Sequence, residues 1–271
     1  MAINFNSKPG FVFGASASNV NRNFIENSFD RSSTGKRIKS AADDAAGLEV
    51  LSKLEAALSG KEQAIKNAAD GQGLLHTAEA GVAKISNILN RMRELAVQAA
   101  NGTNSIAERE ALQSEADQLT AEISRIADGT YFNGRAPLSG VNVNVQEGAS
   151  LDENIPLTIH AVGSSDLQLD EGRVSFDTVA NARDAIGILD AALEKLIAAR
   201  SDIGSSMNRI SSSIYHLSSF AKNTISSASL KSDLDVEDET TRLIKSQILQ
   251  QSSNAMLAQG NASKGMMLYL I

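Results

Sequence analysis

The chain has 271 residues and a formal net charge of −7; 42% of it is apolar, only 4% is aromatic, and it contains neither Trp nor Cys. The acidic balance argues against nucleic acid and anionic membrane surfaces, which attract clustered Lys and Arg. Without Cys there are no disulfides, no thiolate catalysis and no Cys-ligated metal, and a chain rich in Ala, Leu, Ile and Ser with 3 Pro suits long, closely packed helices.

The N-terminal stretch MAINFNSKPGFVFGASASN carries Lys8 but no apolar run long enough for a Sec signal peptide. Residues 1–40 hold only scattered apolar anchors: Phe11, Val12, Phe13, Val20, Phe24, Ile25 and Phe29. Ser40-Ala-Ala-Asp43 is expected to cap the first long helix, a role that suits Asp43-Asp44 better than holding a cation. A seam follows at Leu51, Leu54, Leu58, Ile65, Ala68, Leu75, Ala78, Val82, Ile85, Leu89, Met92, Ala96 and Ala99. Lys61 and Gln72 fall on it, and one irregular step surrounds Leu75. Gly60, Gly71, Gly73 and Gly81 lie inside this helix, each costing up to ~1 kcal/mol against Ala. The seam continues through them, and small residues let neighbouring helices approach closely.

NGTN at 101–104 breaks the helix, and Ser105-Ile-Ala-Glu108 reads as a capping box. It opens a shorter helix on Leu112, Ala116, Leu119, Ile123 and Ile126, ending near DGTYFNG at 128–134. The period then changes to two. Val141, Val143 and Val145 share one face, as do Ile155, Leu157, Ile159 and Ala161, predicting one β-hairpin that must lie on the helices. From Val179 to Ala228 steps of three and four alternate through Ala182, Ile186, Leu189, Leu193, Leu196, Ile203, Met207, Ile210, Ile214, Leu217 and Ala221, with Arg200 and Thr224 the polar exceptions. This is the repeat of a left-handed coiled coil, and fifty such residues would extend ~75 Å. Acidic SDLDVEDETT at 232–241 is expected to separate it from a last helix bearing Leu243, Ile244, Ile248, Leu249, Met256 and Leu257.

The predicted fold is mainly α: an antiparallel coiled-coil or bundle rod, with a hairpin near 141–162 at its far end and both termini at the near end. The chain then finishes on Met266, Met267, Leu268, Tyr269, Leu270 and Ile271. Such a run is far short of the ~20 residues needed to cross a membrane, so no membrane insertion is expected. Exposed apolar ends mark interaction surfaces, and a repeated unlike-to-unlike contact builds an open helical assembly.

RSSTGKRIKSAADDAAGL at 31–48, NRMRELAVQAANGTN at 90–104, TYFNG at 130–134, ARSDIGSSMNRI at 199–210 and SQILQQSSNAMLAQGN at 246–261 resemble bacterial flagellin, in the family's order and over nearly the whole chain. The resemblance implies an inner terminal domain at 1–44 and 232–271 and a rod-like domain at 45–231. Val162 to Phe176 leaves almost no room for the family's outer variable domains, so the form is minimal. It further implies termini that pair as helices in the assembled filament, where the tail is buried. The implied function is a filament subunit for swimming motility, exported unfolded through the flagellar channel and assembled outside the cell. Its implied partners are further copies of itself, a filament cap, hook-junction proteins and an export chaperone. Ser32 and Lys36 stand where the family commonly has Leu, and the C-terminal segment lacks the family's frequent Pro.

Arg91, Leu95 and Glu115 are the candidate interface residues. Arg91 lies one step off its seam and Leu95 one turn further on the same flank. They are expected to pack between subunits, and the resemblance matches them to the surface read by the animal Toll-like flagellin receptor. His76, His160 and His216 form no ligand motif, and no nucleotide-binding or nucleophile-elbow motif occurs. No catalytic, cofactor or metal residues are therefore assigned, and an enzyme is not expected. A hook–filament junction protein and a non-polymerising coiled-coil adaptor are the alternatives.

Overall fold

The computed structural model describes residues 9–148, 153–170 and 172–269. Its elements are α1 (Pro9–Thr34), α2 (Ala45–Ala99), α3 (Ile106–Gly129), a short 3-10 turn (Pro137–Ser139), β1 (Val141–Gln146), β2 (Asn154–Ile159), α4 (Val179–Ser232) and α5 (Val236–Tyr269). They divide into two compact units, Ala57–Lys222 and the combined segments Met1–Ala56 and Asn223–Ile271.

In the Ala57–Lys222 unit, α2 and α4 run antiparallel, with Arg93 Nε donating to Asp190 Oδ1 at 2.6 Å and Arg200 Nε to Glu79 Oε1 at 2.6 Å. Both seams sit on a slightly different line from the expected one. In α2 the buried line is Ala64, Ala68, Gly71, Leu75, Ala78, Val82, Ile85, Leu89, Met92, Ala96 and Ala99, which alternates fours and threes with no irregular step. Ile65 and Gln72 lie half-buried beside it. In α4 the buried line is Ala182, Ala185, Leu189, Ala192, Leu196, Ala199, Ile203, Ser206 and Ile210, flanked by half-buried Ile186, Leu193 and Met207. Small residues define these lines because the partner comes closest where side chains are shortest. Arg200 therefore leaves no charge in the core. Lys61 is half-buried, but its Nζ reaches Glu153 Oε2 at 3.1 Å and lies 5.7 Å from the Phe220 ring centroid.

The break after Ala99 and the capping box fall where expected. Ser105 Oγ accepts from Glu108 N at 3.3 Å, and Ser105 N donates to Glu108 Oε2 at 2.6 Å. The hairpin register pairs Val141 with Ile159, Val143 with Leu157 and Val145 with Ile155, so the period-two pattern forms one inward face. That face lies on α2 at Gly71, where an added Cβ would stand 2.9 Å from Val145 Cγ2 and 3.4 Å from Ile210 Cδ1. Likewise, a Cβ on Gly81 would stand 2.6 Å from Leu138 Cδ1 in the 3-10 turn. These glycines admit the hairpin and the turn beside it, not a neighbouring helix alone. The segment after β2 buries Val162, Leu167, Leu169, Val174 and Phe176, and Gln113 clamps it. Gln113 Nε2 donates to Val174 O at 3.0 Å, and Phe176 N donates to Gln113 Oε1 at 2.6 Å.

In the other unit α1 packs against α5. Gly35, at φ 65°, ends α1 and donates to Arg31 O at 2.8 Å, a left-handed helix stop. The cap of α2 is Asp44, whose Oδ1 accepts from Gly47 N at 2.8 Å. Ser40–Asp43 instead forms the turn before the helix. Asp43 Oδ2 accepts from Lys39 N and Ser40 N there, and its Oδ1 accepts from Arg31 Nη2 at 3.0 Å. The acidic separator is shorter than expected. Only Asp233, Leu234 and Asp235 lie between α4 and α5, and Glu237, Asp238 and Glu239 form the first turn of α5, where carboxylates suit the positive end of the helix dipole. The two helix breaks are tied to one another: Leu234 N donates to Gly35 O at 2.9 Å and Arg37 N to Ser232 O at 2.6 Å.

Candidate functional site

The α1–α5 pair has a more polar seam than the α2–α4 pair. Along α5 the residues turned inward are Glu239, Leu243, Ser246, Gln250, Ser253, Leu257 and Gly260, a regular heptad line that is mostly polar or small. Along α1 they are Ser18, Asn21, Phe24, Ile25 and Ser28. Ser28 and Glu239 are 1% and 4% exposed, and Ser28 Oγ donates to Glu239 Oε1 at 2.5 Å. Further along, Gln250 Nε2 donates to Ser18 Oγ at 2.8 Å, and Ser18 Oγ donates to Asn254 Oδ1 at 3.5 Å. Gln250 Oε1 is buried and accepts no hydrogen bond.

Phe24, Ile25, Leu243 and Leu257 supply the inward apolar surface of this unit, while many of its other large apolar side chains face outward. Val20, Phe29, Val236, Ile244, Ile248, Leu249, Met256 and Met266 are all exposed. Burying one such side chain stabilises by ~1.5–3 kcal/mol, and this chain alone leaves that unrealised. The sequence marks Val20 and Phe29 only as scattered anchors and Ile244, Ile248, Leu249 and Met256 only as apolar positions of the last helix. The heptad of Ser, Gln and Glu was invisible because it carries no apolar periodicity. Of the expected polymerisation tail, Met266 is exposed and Tyr269 ends α5. Leu270 and Ile271 lie outside the described residues, as do the side chains of Met267, Leu268 and Tyr269.

A second cluster joins α2 to α3. The Arg91 guanidinium donates to Glu115 Oε1 from Nε at 3.0 Å and from Nη2 at 2.8 Å, and from Nη1 to Glu94 Oε2 at 3.2 Å. These carboxylates push the Arg91 pKa up, Glu115 most strongly, so its charge is fixed. Arg91 and Glu115 are thus brought together on the surface. Leu95 is not part of that surface: it is 1% exposed and belongs to the hydrophobic core. Glu94, three residues from Arg91, takes the flank instead, a ligand that spacing alone did not single out.

His76 and His216 are exposed, and His160 Nε2 lies 3.3 Å from Asp202 Oδ2. Among the described residues no group of three or more His, Asp or Glu is placed to hold a metal ion, and no helix is long and apolar enough to cross a membrane.

Two family models match the chain: the bacterial flagellin N-terminal helical region over residues 15–143 and the bacterial flagellin C-terminal helical region over residues 186–271. A flagellin of Halalkalibacterium halodurans is 36% identical over 254 residues, spanning 93% of each chain. A flagellar filament 33 kDa core protein of Treponema phagedenis is 34% identical over 264 residues, spanning 91% of this chain and 92% of its own. Among solved structures, Bacillus cereus flagellin superposes with a TM-score of 0.50 at 34% identity, covering 56% of this chain and 88% of that one.

Proposed function

The chain belongs to the bacterial flagellin family, which makes it a structural subunit of the extracellular flagellar filament, and we propose that copies join through the outward apolar faces of α1 and α5 together with the tail Met266 to Ile271. The observation that carries this is the set of large apolar side chains that the pair leaves exposed around a seam of mostly polar or small residues. A lone chain has nothing to set against Ile244, Ile248 and Met256; a second copy has the same kind of surface. In this reading 1–44 and 232–271 form the inner terminal polymerising domain and 45–231 the rod-like helical domain, with boundaries near the tied helix breaks.

Export follows the flagellar secretion channel in an unfolded state, which a chain without Cys passes with no thiol to misoxidise. The partners assigned to it on family grounds are a filament cap, hook-junction proteins and an export chaperone for the C-terminal segment. The Arg91–Glu94–Glu115 face packs between subunits, and in free chains it is read by the Toll-like flagellin receptor of animals, with Leu95 supporting the face from beneath. Because Leu95→Ala would open a core cavity, the receptor assignment is tested with Arg91→Ala and Glu115→Ala. Receptor binding unchanged in both would remove it.

The central test is electron microscopy of purified protein under salting-out conditions, beside a chain lacking Gly265 to Ile271. Long tubes from the full chain alone are expected. Tubes from both would take the tail out of the mechanism, and none from either would sink the polymerisation reading.

A further inference from the structure

Asn-Gly steps stand at Asn101-Gly102 and at Asn133-Gly134, and all of these residues are exposed. Their backbone settings differ. We infer that Asn101 is a self-modification site, whose side-chain amide is converted to a carboxylate by attack of the Gly102 backbone nitrogen, while the same step at Asn133 is held back by its turn.

The chemistry needs only water. Gly102 N bonds to Asn101 Cγ and closes a succinimide ring; the Cγ–Nδ2 bond breaks, and Nδ2 leaves as ammonia with the proton given up by Gly102 N. Water then opens the imide at either carbonyl, giving Asp or its isomer with the backbone routed through the side chain. Glycine suits the attacking position because it has no Cβ to crowd the approach. The fold assists further. Among the described residues nothing accepts from the Gly102 N–H, and Thr103 N donates to Asn101 Oδ1 at 3.2 Å. This Asx turn folds the side chain back toward the Gly102 peptide, and the donated proton supports the oxyanion that forms on attack. The loop itself is closed by a single bond, Asn104 N to Asn101 O at 3.2 Å. Asn133 has the opposite setting. Asn133 and Gly134, at φ 49° and 75°, form a tight turn laced by Phe132 N to Arg135 O at 2.9 Å and Arg135 N to Phe132 O at 3.0 Å. Rotating this backbone toward attack gives up both bonds. At Asn101 the product carboxylate lies just past the C-terminal end of α2, where the helix dipole favours cations, so a converted chain carries an added negative charge at the α2–α3 junction.

The test incubates the full, unpolymerised chain in mildly alkaline buffer, where the attacking nitrogen loses its proton more readily, and follows both sites by peptide mass spectrometry. In the folded chain Asn101 is expected to convert roughly tenfold faster than Asn133, whose turn must give up its two bonds. In concentrated urea the two rates should converge, because the turn and the Thr103 contact are then gone. Gly102→Ala meets open space and no left-handed backbone; it should slow conversion at Asn101 about tenfold and leave Asn133 unchanged. Equal rates in the folded chain, faster conversion at Asn133, a gap that persists in urea, or no slowing in Gly102→Ala would overturn the inference.

Discussion

At the scale of single residues, Asp43 and Gly71 show how local chemistry fixes the helix junctions. The Arg31 guanidinium, the backbone N–H groups of Ser40 and Lys39, and the Ser40 hydroxyl together hold the Asp43 carboxyl down at about 2, against an ordinary value of 3.8. A carboxyl lowered by folding contributes stability that is fully present above pH 3.8 and is lost as pH falls through about 2. Asp43→Asn should therefore unfold more easily than wild type at pH 5, with the gap closing toward pH 2; urea titrations across that range check it. Gly71 offers a test of the opposite kind. Alanine would gain up to ~1 kcal/mol of helix propensity, but its methyl would stand 2.9 Å from Val145 Cγ2, too close without a shift of the hairpin, with Ile210 and Leu157 already at contact distance. Overpacking costs ~1–3 kcal/mol, so Gly71→Ala should destabilise by about 1 kcal/mol net, read from the urea midpoint.

At the scale of elements, most of the fold was legible because its signals are local. The capping box at Ser105 and Glu108 depends on three residues of spacing, and the hairpin face on strict alternation, and both occur as the sequence predicts. Ser105→Ala should cost α3 about 1 kcal/mol and fray its first turn, visible as faster exchange of the amides near Glu108. What could not be read is what depends on partners distant in sequence. Alanines became the tightest line of α4 only once α2 was beside them, and Leu95 moved from an assumed surface to the core for the same reason. The segment Leu167 to Phe176 carries no long periodicity, so its burial under the Gln113 clamp was unmarked. The polar heptad of α5 is the clearest case, because a search for apolar spacing passes over a seam made of Ser and Gln.

At the scale of the whole molecule, the two compact units differ in what they bury. The Ala57–Lys222 unit closes its own core, including Phe176, Leu189 and Met92 at 0% exposure, and should be insensitive to changes on α5. Ile244→Ser with Ile248→Ser is expected to abolish tubes in electron micrographs while the melting of that unit is unchanged; tubes of normal length would show that the outward face is not the contact. One feature of the other unit has a mechanical side. Both helical paths break at the same level, at 35–44 and 233–235, and the breaks are laced by short backbone bonds from Leu234 to Gly35 and from Arg37 to Ser232. A continuous helix resists twisting along its entire backbone, whereas a few crossed peptides yield locally and spring back. A twist applied to this helix pair is therefore expected to be taken up first at the two breaks, 35–44 and 233–235, before any helix unwinds.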